Sequence, residues 1–136
     1  MKKLEKSYVI SAKKEKVWQA LVDPEIIKEW GAGPAKMTEE EGFDFSLWGG
    51  DIWGKNTKVI KNKLLEQDWF AWPPAHEASG SESKWDQPSK VRVSLKEKGG
   101  KTILTLVHTD IPDDEFEDIS SGWDDYYFGP LKNLVE

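Results

Sequence analysis

Apolar residues recur at steps of three and four through the closing segment, IPDDEFEDISSGWDDYYFGPLKNLVE, and mostly at steps of two before it. In that segment Phe116, Ile119, Trp123, Tyr127, Leu131 and Leu134 form one stripe. Such a stripe marks an amphipathic helix of about five turns, expected from Asp113 to Val135. Asp113, Asp114, Glu115, Glu117 and Asp118 crowd its first turns, where the helix dipole favours negative charge. Pro130 interrupts the pattern, and an interior proline removes a backbone bond at a cost of about 3 kcal/mol. A kink is expected there, letting Leu131 and Leu134 follow a curved sheet.

Upstream, Leu4 to Ile10 reads as a strand with Leu4, Tyr8 and Ile10 on one face. Ser11 is placed to cap a short helix from Lys13 to Val22, with Val17, Trp18, Ala20 and Leu21 inward. Asp23-Pro24-Glu25 starts a second helix: a capping aspartate, proline in the first turn, then an acid. It carries Ile26, Ile27 and Trp30 and stops at Gly31.

From Gly42 the period becomes two. Phe43, Phe45 and Leu47 alternate with Asp44, Ser46 and Trp48, as in a half-buried strand. Gly49-Gly50-Asp51 turns the chain into a strand ending near Ile60, and Asn62 turns it again into Leu64 to Trp72. Lys90 to Lys98 and Lys101 to Asp110 flank Gly99-Gly100, a two-residue hairpin signal. The expected class is α+β: an antiparallel sheet of six or seven strands wrapped around the final helix, with two short helices after strand one. A sheet and a helix that each have one apolar face must cover each other. The stripe is core on its plainest reading, but the seam it forms with the sheet is also a natural ligand site. Pro73 to Ser89 is polar and long for a connection inside one domain, and reads as a surface loop or a lid carrying Trp85. Ala75 to Gln87 is expected to be the most mobile stretch.

At 136 residues the chain makes one domain, residues 1–136, large enough to close a core unaided. It has no cysteine, which removes disulfides and thiolate chemistry. The start, MKKLEKSYVI, has no apolar run of signal-peptide length and no later run would span a bilayer, so a cytoplasmic protein without membrane contact is expected. A net charge of −6 argues against nucleic acid. Lys55, Lys58, Lys61 and Lys63 along one hairpin read better as a solvated strand face. Eight tryptophans are a heavy load, and each indole N–H needs a partner when buried.

Candidate chemistry is thin. GGDIWGKN, residues 49–56, approaches a phosphate-binding loop, but Asn56 stands where magnesium needs a hydroxyl, and a turn and strand follow instead of a helix. The two histidines, His76 and His108, have no metal-ligand spacing, and without cysteine no zinc site is expected. His108 shares a strand face with Leu104 and Leu106 and is expected to be a hydrogen-bonded interior residue. As a general base it would need Tyr126 or Tyr127 across the seam. No serine-nucleophile motif is present, and the acid runs sit at element ends. Neither catalytic residue, metal nor cofactor is expected.

Three blocks in this order carry a family resemblance: ISAKKEKVWQALVDPEIIKEWGAG, then FSLWGGDIWGKNTKVIKNKLLEQDWFAW, then TILTLVHTDIPDDEFEDISSGWDDYYFGPLKNLVE with its Gly122-Trp123 pair. The chain resembles the helix-grip proteins of the START and birch-pollen-allergen superfamily. Within them it is similar to the family named for the C-terminal domain of the activator of the heat-shock-protein-90 ATPase. The resemblance covers nearly the whole chain but supplies no catalytic residue. It implies a pocket at Trp30, Phe45, Leu47, Trp53, Trp69, Leu104, Leu106, His108, Trp123 and Tyr127, all of which the periodicities also turn inward.

Three functions compete on this reading. The first is a binding module holding a hydrophobic or aromatic small molecule in an apolar cavity between sheet and helix. The second is a stress-response factor whose partner is a chaperone. The third is a cyclase- or dehydratase-like enzyme using His108 and Tyr127.

Overall fold

The alternating segments become one sheet in the computed structural model, which describes residues 1–71 and 87–136. The strands are β1 (Lys2–Ile10), β2 (Asp44–Leu47), β3 (Ile52–Ile60), β4 (Leu64–Ala71), β5 (Ser89–Lys98) and β6 (Lys101–Ile111). They pair antiparallel throughout, in the order β1-β6-β5-β4-β3-β2. β2 to β6 is the expected meander, and β1 closes against the last strand. At the β5–β6 hairpin Gly99 and Gly100 have φ of 58° and 79°, the left-handed pair that a primed two-residue turn needs. Residues 49–56 form a turn and the start of β3, with no helix behind them. The expectations for His76, Trp85 and the loop before Gln87 lie outside the described residues.

Two helices follow β1. Helix α1 (Lys14–Val22) buries Val17, Trp18, Ala20, Leu21 and Val22. Ser11 does not cap it: the cap position is Lys13, with no side-chain bond. Ser11 and Ala12 are still tied to the end of the sheet, where the Thr102 hydroxyl donates to the Ala12 carbonyl at 2.7 Å. The Ser11 N–H itself donates to Glu136 at 2.9 Å. Helix α2 (Pro24–Trp30) is capped as expected, its Glu25 N–H donating to Asp23 at 2.9 Å.

The closing helix runs over residues 113–135, but not as one α-helix. A 3₁₀ turn (Asp113–Glu115) leads into α3 (Phe116–Gly122), a π-helical turn (Trp123–Phe128) and α4 (Gly129–Val135). The irregularity expected at Pro130 takes the form of this wide turn. The Gly129 N–H donates to the Asp124 carbonyl five residues back, and Pro130 falls in the first turn of α4, where no N–H is required. A wider turn puts two successive residues, Tyr127 and Phe128, on the core side and advances the stripe by one position. Leu134, expected inside, is therefore 39% exposed, and Val135 is buried in its place.

Gly129 is what lets this turn close. A Cβ there would lie 2.3 Å from the Asp124 carbonyl oxygen, which is backbone and has little freedom to retreat. Helix propensity alone predicts that Gly129→Ala stabilises by about 1 kcal/mol. The expected result is the opposite sign, a loss of about 1–2 kcal/mol as for other overpacked sites. A midpoint of urea unfolding that rises would show that the turn relaxes without strain.

The outer face of the sheet is held by charge. Asp44, Lys55, Asp68 and Lys90 are successive cross-strand neighbours on β2 to β5, alternating in sign. Lys55 lies 3.5 Å from Asp44, Lys90 bonds Asp68, and Arg92 lies 3.5 Å from Glu66. Of the hairpin lysines, Lys61 is also paired, 3.8 Å from Glu39, and Lys58 faces Glu66 in register. The inner face, with Leu4, Ile10, Phe45, Leu65, Val91, Val93, Leu104 and Leu106, belongs to one apolar core with α1, α2 and the final helix.

Candidate functional site

Most of the ten residues expected around a cavity are packed against one another. Phe45, Leu47, Leu104 and Leu106 are closed off in the core, and Trp30 is buried with its indole N–H donating to the Ala20 carbonyl at 2.8 Å. Trp53 does not face inward. Ile52, Gly54 and Asn56 occupy the inner positions of β3, so the two-residue period turns Trp53 to the outer face. There it stacks on its cross-strand neighbour Phe70, with ring centroids 4.2 Å apart and planes 7° apart.

His108, Trp69 and Trp123 are joined by a chain of hydrogen bonds. The Ser89 hydroxyl donates to the Trp69 carbonyl at 2.7 Å, so its oxygen accepts from His108 Nε2–H at 2.8 Å. The other ring nitrogen, Nδ1, must then carry the lone pair, and it accepts from the Trp123 indole N–H at 3.1 Å. One tautomer satisfies all three bonds. Burial lowers the His108 pKa from its ordinary 6.5 to about 3, so the ring is neutral. With both nitrogens engaged, the imidazole has no free position from which to exchange a proton with a substrate. Burial also raises the Tyr127 pKa.

Three of the ten residues, Trp69, Trp123 and Tyr127, reach open space. It is a groove of about 450 Å³ beside the final helix, near the β2–β3 turn. Trp48, Ile52 and Trp69 form its sheet side. Ile119, Gly122, Trp123, Tyr126 and Tyr127 form its helix side, and Asp51, Asp118, Ser121 and Asp125 complete the lining. Aromatic packing shapes the walls: Trp69 stacks on Trp123 at 5.4 Å, Trp123 meets Tyr127 at 4.8 Å, and Trp48 meets Tyr127 edge-on at 6.2 Å.

Trp48 is the residue that sequence reasoning missed. Alternation along β2 sends it outward with Asp44 and Ser46, but the strand ends at Leu47 and the chain twists back. Trp48 takes φ of 51°, a left-handed conformation that is costly for a bulky side chain. Its N–H donates to the Ala32 carbonyl at 2.8 Å, and the Gly49 N–H to Pro34 at 2.9 Å. Those bonds dock the turn and hold the indole over the groove. The available signal was an aromatic residue directly before Gly-Gly.

The helix side is anchored through Asp124. Tyr8 donates to one carboxylate oxygen at 2.6 Å and Lys6 to the other at 2.5 Å, while Lys6 also donates to the Ser120 carbonyl at 2.8 Å. Partial burial would raise the Asp124 pKa, but the Lys6 and Tyr8 bonds outweigh it and hold the carboxyl below its usual range. Burial and the Asp124 carboxylate push the Tyr8 hydroxyl up. Among the described residues, no group of His, Asp and Glu side chains is arranged to hold a metal ion. No described helix is long and apolar enough to cross a membrane.

The family model described as Activator of Hsp90 ATPase homolog 1-like protein matches residues 11–136. The chain is 24% identical over 120 residues to the activator of 90 kDa heat shock protein ATPase homolog 1 of Mus musculus, covering 87% of this chain and 32% of that protein. It thus spans about a third of the length of the curated relatives it matches best. An HSP90 activator from Plasmodium falciparum superposes with a TM-score of 0.83 at 20% identity, covering 98% of this chain and 95% of that one. The Aha1 dimer from Colwellia psychrerythraea gives 0.79 at 21% identity, covering 100% and 97%. At these identities the solved structures show the helix-grip fold.

Proposed function

This chain belongs to the activator of Hsp90 ATPase homolog 1-like family, and from that premise we propose that its work is binding without turnover. The ligand is a hydrophobic or aromatic small molecule, held between the sheet and the final helix. One observation carries this reading: the groove of about 450 Å³ walled by Trp48, Trp69, Trp123 and Tyr127. Its volume falls within the range of roughly 300–1,000 Å³ usual for small-molecule sites. The packed interior offers no larger cavity, so the site is this open groove rather than a sealed pocket. His108, with both ring nitrogens occupied, supports binding over the cyclase-like alternative.

A panel of bicyclic aromatic compounds should change tryptophan emission, through the three indoles on the groove. It should also raise the melting temperature, since a ligand at a hundredfold its Kd adds about 2.7 kcal/mol to the folded state. Gly122 provides the control. A Cβ there meets nothing within 4 Å, so Gly122→Phe should fill the groove and leave the fold intact. That variant should lose both responses. If no compound moves emission or melting in the parent protein, the reading fails.

A second reading is favoured by the relatives, several of which carry the name activator of the 90 kDa heat shock protein ATPase. On it, this domain is a stress-response factor whose partner is that chaperone, bound through its surface. Added to the purified chaperone, the chain would then accelerate ATP hydrolysis, and Gly122→Phe would not matter.

A further inference from the structure

The groove has apolar walls and a rim of one sign. Asp51, Asp118 and Asp125 all line it, no lysine, arginine or histidine does among the described residues, and none of the three carboxylates is in an ion pair there. Elsewhere the protein pairs such groups: Asp44, Asp68 and Asp124 each have a lysine. Three unneutralised carboxylates around one opening repel anions and give a neutral molecule nothing beyond the apolar walls. The indoles of Trp48, Trp69 and Trp123 add a second preference of the same sign, because an aromatic face carries negative potential and attracts a cation. Rim and walls therefore ask for the same chemistry from opposite ends of a ligand.

We propose that the groove selects hydrophobic organic cations: an amine or ammonium group at the carboxylate rim, joined to an aromatic or alkyl body against the indoles. This rests on the binding reading above and specifies its ligand class. The charge is also screened by salt, since the three carboxylates are exposed. Added salt should weaken the preference while leaving the contribution of the apolar body.

The test is a series with one body and three charges: 1-naphthylmethylamine, 1-naphthylmethanol and 1-naphthylacetate, titrated calorimetrically into the whole chain at low salt. The amine should bind about tenfold or more tightly than the alcohol, and the acetate weakest. In a triple variant, Asp51→Asn, Asp118→Asn and Asp125→Asn, amine affinity should fall to that of the alcohol, whose own affinity stays put. These positions are exposed, so the melting temperature should confirm an intact fold. If the alcohol matches or beats the amine in the parent protein, the charge selection is wrong while the groove survives as a site. If none of the three binds, the binding reading fails with it.

Discussion

Replacing Trp123 by alanine should lower stability by about 3–5 kcal/mol, the range for large aromatic side chains cut from a core. The indole is nearly enclosed and sits at the centre of an aromatic cluster, stacked on Trp69 and on Phe128 at 5.1 Å and against Tyr127. Its removal withdraws apolar area from all three. It also takes the donor from His108 Nδ1, leaving a buried acceptor unpaired at a further cost of about 1–3 kcal/mol. Because this residue joins the π turn to the sheet, the loss acts on the docking of the whole final helix. Urea unfolding measures it directly. A loss below about 1 kcal/mol would mean that the helix packs by another face.

His108 should make the folded state sensitive to acid in a window where few other groups titrate. Its folded pKa of about 3 lies below the unfolded value of 6.5. Between the two, the unfolded chain takes up a proton that the folded chain refuses. The stability contribution is therefore complete above 6.5 and declines as pH falls, by about 1.4 kcal/mol per unit. Asp124, with a lowered folded pKa, loses its own contribution only at more acid pH. The measurement compares His108→Gln with the parent, both carrying His76→Ala so that the second histidine drops out. Glutamine keeps a donor and an acceptor but does not titrate, so the slope between pH 6.5 and 5 should vanish. Equal slopes would show that His108 is protonated in the folded protein. His108→Ala should cost about 3 kcal/mol or more, since it orphans the Trp123 N–H and opens a void. Paired with Trp123→Ala, the losses should sum to less than the singles, because both break the same bond.

The fold was legible because two periods, 2 and 3.6, were written plainly along the chain, and the Asp23-Pro24 start and the Gly99-Gly100 hairpin are local signals. The site was less so, and for identifiable reasons. Period two assigns a residue to a face only once a register is chosen, and Trp53 had two plausible faces until Ile52, Gly54 and Asn56 claimed the inner one. Trp48 depends on a left-handed turn that docks on residues 32–34, a non-local event that no window of sequence contains. Leu134 was displaced by a hydrogen bond that skips five residues in place of four. His108 is the contrary case: its strand face alone placed it inside, and its partners then followed from burial.

The π turn at Trp123–Phe128 has a consequence for chain length. It holds a surplus residue relative to a regular helix, and a surplus cannot be undone by changing residue types, only by losing one. A one-residue deletion there would yield a better-formed helix yet swing everything after it by about 100°. Leu131 and Val135, now buried, would turn away from the core, and the exposed Leu134 would turn toward it. Relatives with a regular helix at this point must accordingly be matched to this chain with a one-residue gap. Without that gap every position after Phe128 is compared with the wrong neighbour, and buried residues are equated with exposed ones.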